Sequence, residues 1–285
     1  MFHIENEDVY KNLLKGNFGL EKEGLRVTEQ GFLAHTPHPF DENDAHIVRD
    51  FCENQTEINT GVNKSVKEAI DELIEYTNQI QRRLSKLEPK EYLWPFSNPP
   101  YIINEADVPI ALFEGISSSK TQYREYLSNR YGRYKMTFSG IHVNFSFDEE
   151  LLKKDFDLSD EKDYTTYKNT VYLTLAKRMV VYGWILVAIS AASPILDGSY
   201  VAKGKYNEDE WTGMASVRCS EMGYWNSFAP VLDYSSIDAY AASIERYVNE
   251  GWIKAPSELY YPIRLKPPGE NNLESLKKNG INHIE

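Results

Sequence analysis

Seven residues, Ile141-His142-Val143-Asn144-Phe145-Ser146-Phe147, alternate strictly between apolar and polar. No other stretch narrows the fold as much. A period of two belongs to a strand, with Ile141, Val143, Phe145 and Phe147 on one face and His142, Asn144 and Ser146 on the other. Weaker patterns predict two more strands, around Phe18 to Val27 and around Glu53 to Asn59, bounded by Gly19, Gly24 and Gly61.

Three helices accompany them. From Ser65 to Leu87 the positions Val66, Ile70, Leu73, Thr77, Ile80, Leu84 and Leu87 recur in steps of three and four, and Ser65 with Glu68 has the form of a capping box. A second helix is expected from about Tyr164 to Ala192, ending before Ser193-Pro194. Its C-terminal half is apolar nearly all round and is therefore expected in the core. A third follows Ser235-Ser236, turns Ile237, Tyr240, Ala241, Ile244, Tyr247 and Val248 inward, and stops at Gly251. Strands and helices mix without a regular βαβ beat, so the expected class is α+β around an antiparallel or mixed sheet. Neither a repeat nor an internal boundary is visible, and residues 1–285 read as one domain.

Charge excludes some functions. With 43 Asp and Glu against 31 Lys and Arg, the formal net charge is -12, and an anionic partner would need a local basic site or a bound cation. No Lys/Arg-rich stretch suits nucleic acid. The longest apolar run, Met179 to Ala192, is too short for a bilayer span. The acidic N-terminus lacks a signal-peptide run, and two cysteines, Cys52 and Cys219, give no disulfide framework. A cytoplasmic protein is expected, with neither nucleic acid nor membrane as partner.

The chemistry concentrates in three places. In Gly19-Leu20-Glu21-Lys22-Glu23-Gly24-Leu25-Arg26-Val27, a strand would project Glu21 and Glu23 from one face. Two like charges so close repel, which a wet surface tolerates and a divalent cation exploits. In Asp50-Phe51-Cys52-Glu53-Asn54-Gln55-Thr56-Glu57, a helix would align Asp50, Glu53 and Glu57, whereas a strand would align Glu53, Gln55 and Glu57. His142, on the polar side of its strand, is the third candidate. Each alone is also explained by a solvated charged surface or a hydrogen-bonded histidine. Together they form a hard, oxygen-rich donor set suited to magnesium or manganese. The familiar glycine-rich phosphate cradles are absent from the sequence, so a cation would have to hold any nucleotide phosphates.

With these residues the sequence resembles bacterial glutamate–cysteine ligases, including the ligase half of bifunctional glutathione synthetases. Besides Gly19 to Val27, four blocks agree in order: Trp94 to Ile102, Tyr123-Arg124 through Gly132, Ser139 to Ser146, and Ser257 to Arg264. The resemblance implies a glutamine-synthetase-like fold whose antiparallel sheet forms a funnel-like active site among helices. It implies Glu21, Glu23, Asp50, Glu57, His142 and Glu285 as Mg2+ ligands, with Mn2+ the alternative. Arg218 would contact glutamate or the phosphates, and Phe51, Tyr131, Tyr224 and Tyr260 would line the cysteine site. The implied substrates are L-glutamate, L-cysteine and ATP. Cys52 and Met136 stand where many relatives are expected to carry a small and a polar residue. Residues 1–285 are expected to be the N-terminal portion of the ligase domain, with a C-terminal portion or a glutathione-synthetase domain outside the chain. The rival readings are a related ligase with another amine acceptor, an inactive ligand-binding fragment, and an acidic surface without a site.

Overall fold

The computed structural model describes residues 2–204, 215–220, 222–223 and 232–250. In chain order its main elements are α1 (Glu7–Asn12), β1 (Gly16–Thr28), β2 (Ile47–Arg49), β3 (Gln55–Asn59), α2 (Val66–Leu84), β4 (Glu91–Leu93), α3 (Ser118–Tyr131), β5 (Ile141–Phe147), α4 (Glu149–Asp157), α5 (Tyr164–Tyr182), α6 (Trp184–Ser190), α7 (Gly198–Gly204) and α8 (Ile237–Asn249). The chain divides into two compact units, one of Gly16–Ser146 with Ala191–Trp225, the other of Met1–Lys15, Phe147–Ser190 and Asn226–Glu285.

The first unit is built on a sheet of order β2-β3-β1-β4, with β5 also paired to β1. β1 runs antiparallel to β3 and β4, and β2 antiparallel to β3. The α+β expectation is met. Register decides what each face carries. Glu23 pairs with Glu57 and Glu21 with Asn59, while Lys22 pairs with Ile58 and Gly24 with Thr56. Alternation then sends Glu21, Glu23 and Glu57 to one face and Ile58, with Ile47 opposite it, to the other. The second face packs against α2, where Ile47, Ile58, Ile80 and Leu84 form a buried cluster flanked by Leu73, Tyr76 and Leu87. α2 starts as its sequence predicts: the Ser65 hydroxyl accepts from the Glu68 N–H at 3.2 Å. A larger core gathers Leu25, Val27, Phe51, Cys52, Ile102, Val108, Leu127 and Phe138, joined by Leu196, Tyr200, Val217 and Met222 from the returning segment.

A buried ion pair crosses the centre of this unit. Arg26, on β1, is 0% exposed. Its Nη1 donates to Glu91 Oε2 at 2.6 Å, and its Nη2 donates to the carbonyls of Thr36 at 2.7 Å and Glu53 at 3.0 Å. The strand alternative for the second acidic segment holds, but only from Gln55 onward. Glu53 sits in the preceding turn, with its carboxylate taken by Arg49 at 2.8 Å and the His38 N–H at 2.9 Å.

His38 gives this region a pH dependence. Burial, reinforced by Arg26 and Arg49 and opposed by the Ile47 carbonyl, lowers its pKa from 6.5 to about 4. The unfolded chain therefore binds the proton more tightly than the folded one. His38's contribution to stability is complete above pH about 6.5 and is lost as pH falls towards about 4. With its partial exposure allowed for, the loss is about 1–2 kcal/mol. Urea unfolding at several pH values should show that His38→Gln flattens this slope; an identical slope in the variant would refute it.

The second unit differs most from expectation. Asp155 on α4 is buried, accepting from the His3 N–H at 2.7 Å and from the Tyr167 hydroxyl. The helix expected from Tyr164 to Ala192 is two helices, α5 and α6, bent by 57° at Gly183. A Cβ at Gly183 would stand 2.5 Å from the Met179 carbonyl oxygen, so glycine permits the close turn. The core expectation for its C-terminal half is overturned: Val180, Val181, Trp184 and Ile189 are all more than half exposed. An all-apolar surface has no polar side to orient it, and the described part of this unit buries only Tyr167 and Leu173 of α5. No single described helix is long and apolar enough to cross a membrane; α5 and α6 pass that test only together, across the bend. α8 follows the third prediction, with Ile244 and Tyr247 buried.

Candidate functional site

The acidic face of the sheet is assembled by backbone pairing. β1 carries Glu21 and Glu23; β3 sets Glu57 opposite Glu23. The β2–β3 pairing continues to Asp50, whose N–H donates to the Gln55 carbonyl at 3.1 Å, so Asp50 falls on the same side as Gln55 and Glu57. β5 adds His142 and Asn144 from the other edge of β1.

These groups are tied to one another. His142 Nδ1 lies 3.0 Å from Glu21 Oε2, and its Nε2 lies 3.8 Å from Glu23 Oε1. Asn144 Nδ2 donates to Glu21 Oε1 at 2.8 Å. Glu23 is the most enclosed of the four, its side chain 9% exposed. It accepts from the Gly140 N–H at 2.6 Å, while its own N–H donates to the Gly140 carbonyl at 3.0 Å. Arg218 stands behind this loop, Nη1 3.7 Å from Glu23 Oε2 and donating to the Phe138 carbonyl at 3.1 Å. The approach is close: a Cβ at residue 140 would lie 2.8 Å from Arg218 Nη2, so a larger residue there would push the guanidinium aside.

The electrostatics follow from this packing. Burial raises the Glu23 pKa above the ordinary carboxylate range, Asp50 raises it further, and Arg218, the Gly140 N–H and His142 pull it back. The hydrogen bond to Glu21 raises the His142 pKa, with the charge of Glu23 adding to it against partial burial. Among the described residues, no three His, Cys, Asp or Glu side chains form a ready-made cation shell. The donor chemistry nevertheless fits a hard divalent ion: carboxylate oxygens with one imidazole, and a buried carboxylate whose repulsion from Asp50 a cation would offset.

Of the residues singled out from sequence, Glu21, Glu23, Asp50, Glu57, His142 and Arg218 converge on this part of the sheet. Phe51 is 2% exposed and belongs to the larger core. Tyr131 closes α3, packs against that core and has the Arg130 guanidinium 5.2 Å from its ring centre. Tyr224, Tyr260 and Glu285 lie outside the described residues. Sequence reasoning gave no role to Gly140 or Asn144. The alternation of β5 was the available signal for Asn144; nothing local marks Gly140. Nor did it single out Arg124, whose Nε donates to the Asp50 carbonyl at 2.5 Å and whose guanidinium lies 4.7 Å from the Phe113 ring centre.

Comparison with known proteins adds an independent line. A family model described as "Glutamate-cysteine ligase" matches residues 1–253. The chain is 38% identical to the "Glutathione biosynthesis bifunctional protein GshAB" of Clostridium perfringens, over 99% of this chain and 37% of that protein. It is also 38% identical to the protein of the same name from Listeria monocytogenes, over 99% of this chain and 38% of that one. The chain thus spans a little over a third of the length of these curated relatives. Among solved structures, a bifunctional glutathione synthetase from Pasteurella multocida matches 98% of this chain and 36% of its own, with a TM-score of 0.76 and 31% identity. A glutamate–cysteine ligase from Francisella tularensis, solved in complex with AMP, matches 87% of this chain and 51% of its own, with a TM-score of 0.67 and 26% identity.

Proposed function

The chain belongs to the glutamate–cysteine ligase family, and from that premise we propose that it serves ATP-dependent joining of the γ-carboxylate of L-glutamate to the amine of L-cysteine. The γ-carboxylate oxygen attacks the γ-phosphorus of ATP, giving γ-glutamyl phosphate and ADP. The cysteine amine then attacks the acyl carbon, phosphate leaves, and the amine loses its proton. The observation that carries the reading is the acidic face itself, where His142 lies 3.0 Å from Glu21 and 3.8 Å from Glu23 in an otherwise acidic protein.

Glu21, Glu23, Asp50, Glu57 and His142 would hold Mg2+, or Mn2+ in its place, with Glu285 completing the set. When bound, the cation neutralises charge on the nucleotide's phosphate oxygens. The protein's own part is positioning and charge. Gly140 fixes Glu23 through two backbone hydrogen bonds, and Arg218 brings the positive charge nearest Glu23, suited to glutamate or a phosphoryl group. Tyr131, Tyr224 and Tyr260, with Phe51, are assigned to the cysteine side, where a ring packs the thiol and a hydroxyl bonds the carboxylate. The sheet would form one wall of a glutamine-synthetase-like funnel in a ligase domain of which residues 1–285 are the N-terminal portion, working in the cytoplasm as the first step of glutathione biosynthesis.

The acceptor is tested by product mass after incubation with Mg-ATP, glutamate and a panel of amino acids offered singly. The expected product is γ-glutamylcysteine. A γ-glutamyl product of comparable yield with another amine would keep the ligase chemistry and displace cysteine as the acceptor.

A further inference from the structure

We propose that Asn144 is a positioning residue for Glu21, fixing the plane of a carboxylate assigned above to the cation's donor set; the inference rests on that assignment. Asn144 follows His142 by two residues on β5, so the two side chains leave the strand on the same face. They divide the Glu21 carboxylate between them. His142 Nδ1 lies 3.0 Å from Oε2, and Asn144 Nδ2 donates to Oε1 at 2.8 Å. A glutamate carboxylate held at one oxygen still turns about a broad, nearly two-fold terminal torsion. Held at both, it keeps one orientation.

The bond has little to do for stability. Asn144 is exposed, and the Glu21 side chain is 24% exposed. A hydrogen bond in so wet a place trades against water nearly evenly. Its consequence is directional. Asn144 also sits beside β1, its Cβ 3.6 Å from where a Cβ on Gly19 would stand. Metal-ligating carboxylates are commonly held this way, and losing such a support costs about 10–100-fold in metal affinity.

The test is Mn2+ titration of the full chain, read by the electron paramagnetic resonance of free Mn2+, for the parent, Asn144→Ala, Asn144→Leu and Asn144→Gln, together with metal-free melting temperatures. The expected result is a Kd raised about tenfold or more in Ala and Leu, partial recovery in Gln, and metal-free melting unchanged in all. Equal Kd values in the parent and the Ala and Leu variants would overturn the positioning role while leaving the cation site in place. So would lowered metal-free melting with an unchanged Kd, the mark of a merely structural bond. A parent chain that binds no Mn2+ would overturn the assignment of Glu21 and this inference with it.

Discussion

Glu23→Gln is expected to raise the Mg2+ concentration needed for half-maximal nucleotide-dependent activity by about 100-fold, equivalent to about 2.7 kcal/mol. The substitution keeps the shape of the side chain and its acceptor for the Gly140 N–H but removes a charge on the acidic face whose side chain is only 9% exposed. Losing a direct ligand should cost at least as much as the upper end of the range for losing a supporting residue. The metal-free protein should behave in the opposite sense. Glu23 is held under strain by burial and by Asp50, so a neutral amide there should leave the melting temperature unchanged or slightly raised. Magnesium titrations of activity and metal-free melting curves check both halves. An unchanged magnesium requirement would remove Glu23 from the donor set, and a large fall in metal-free stability would make its role structural.

Arg26→Met should destabilise the protein by about 3–5 kcal/mol, because it leaves Glu91 buried without its cation. The Arg26 and Glu91 side chains are 0% and 1% exposed, so water cannot replace the lost partner. The carbonyls of Thr36 and Glu53 lose donors at the same time. The expected fall in Tm is roughly 10 °C. Pairing Arg26→Met with Glu91→Leu should cost clearly less than the sum of the single changes, since neither charge is then stranded. Strict additivity would mean that the ion pair contributes nothing as a pair. These effects belong to stability: Arg26 points to the face opposite Glu21 and Glu23, so folded Arg26→Met protein should keep its magnesium requirement.

Much of the architecture was legible because it is local. The alternation at 141–147 gave β5 and put His142 and Asn144 on one face. The apolar spacing from Val66, with Ser65 before it, gave α2. The two-residue step from Glu21 to Glu23 likewise fixed a shared face once the segment was a strand. What stayed hidden depends on pairing between distant segments. Nothing in the sequence sets Glu57 rather than Thr56 opposite Glu23, and a slip of one residue would have turned that carboxylate to the α2 side. Asp50 reaches the acidic face only because the β2–β3 ladder runs one step further, to Gln55. The Arg26–Glu91 pair spans 65 positions, beyond any local pattern. The Gly183 bend was overridden by a hydrophobic run that reads equally well as one straight buried helix.

We propose that the acidic face serves a ligase that activates glutamate and passes it to cysteine. The most direct test is ADP release from Mg-ATP by this chain with glutamate, with and without cysteine. The expected release requires the divalent cation and glutamate and increases when cysteine is added. Release that is indifferent to both amino acids would contradict the proposal.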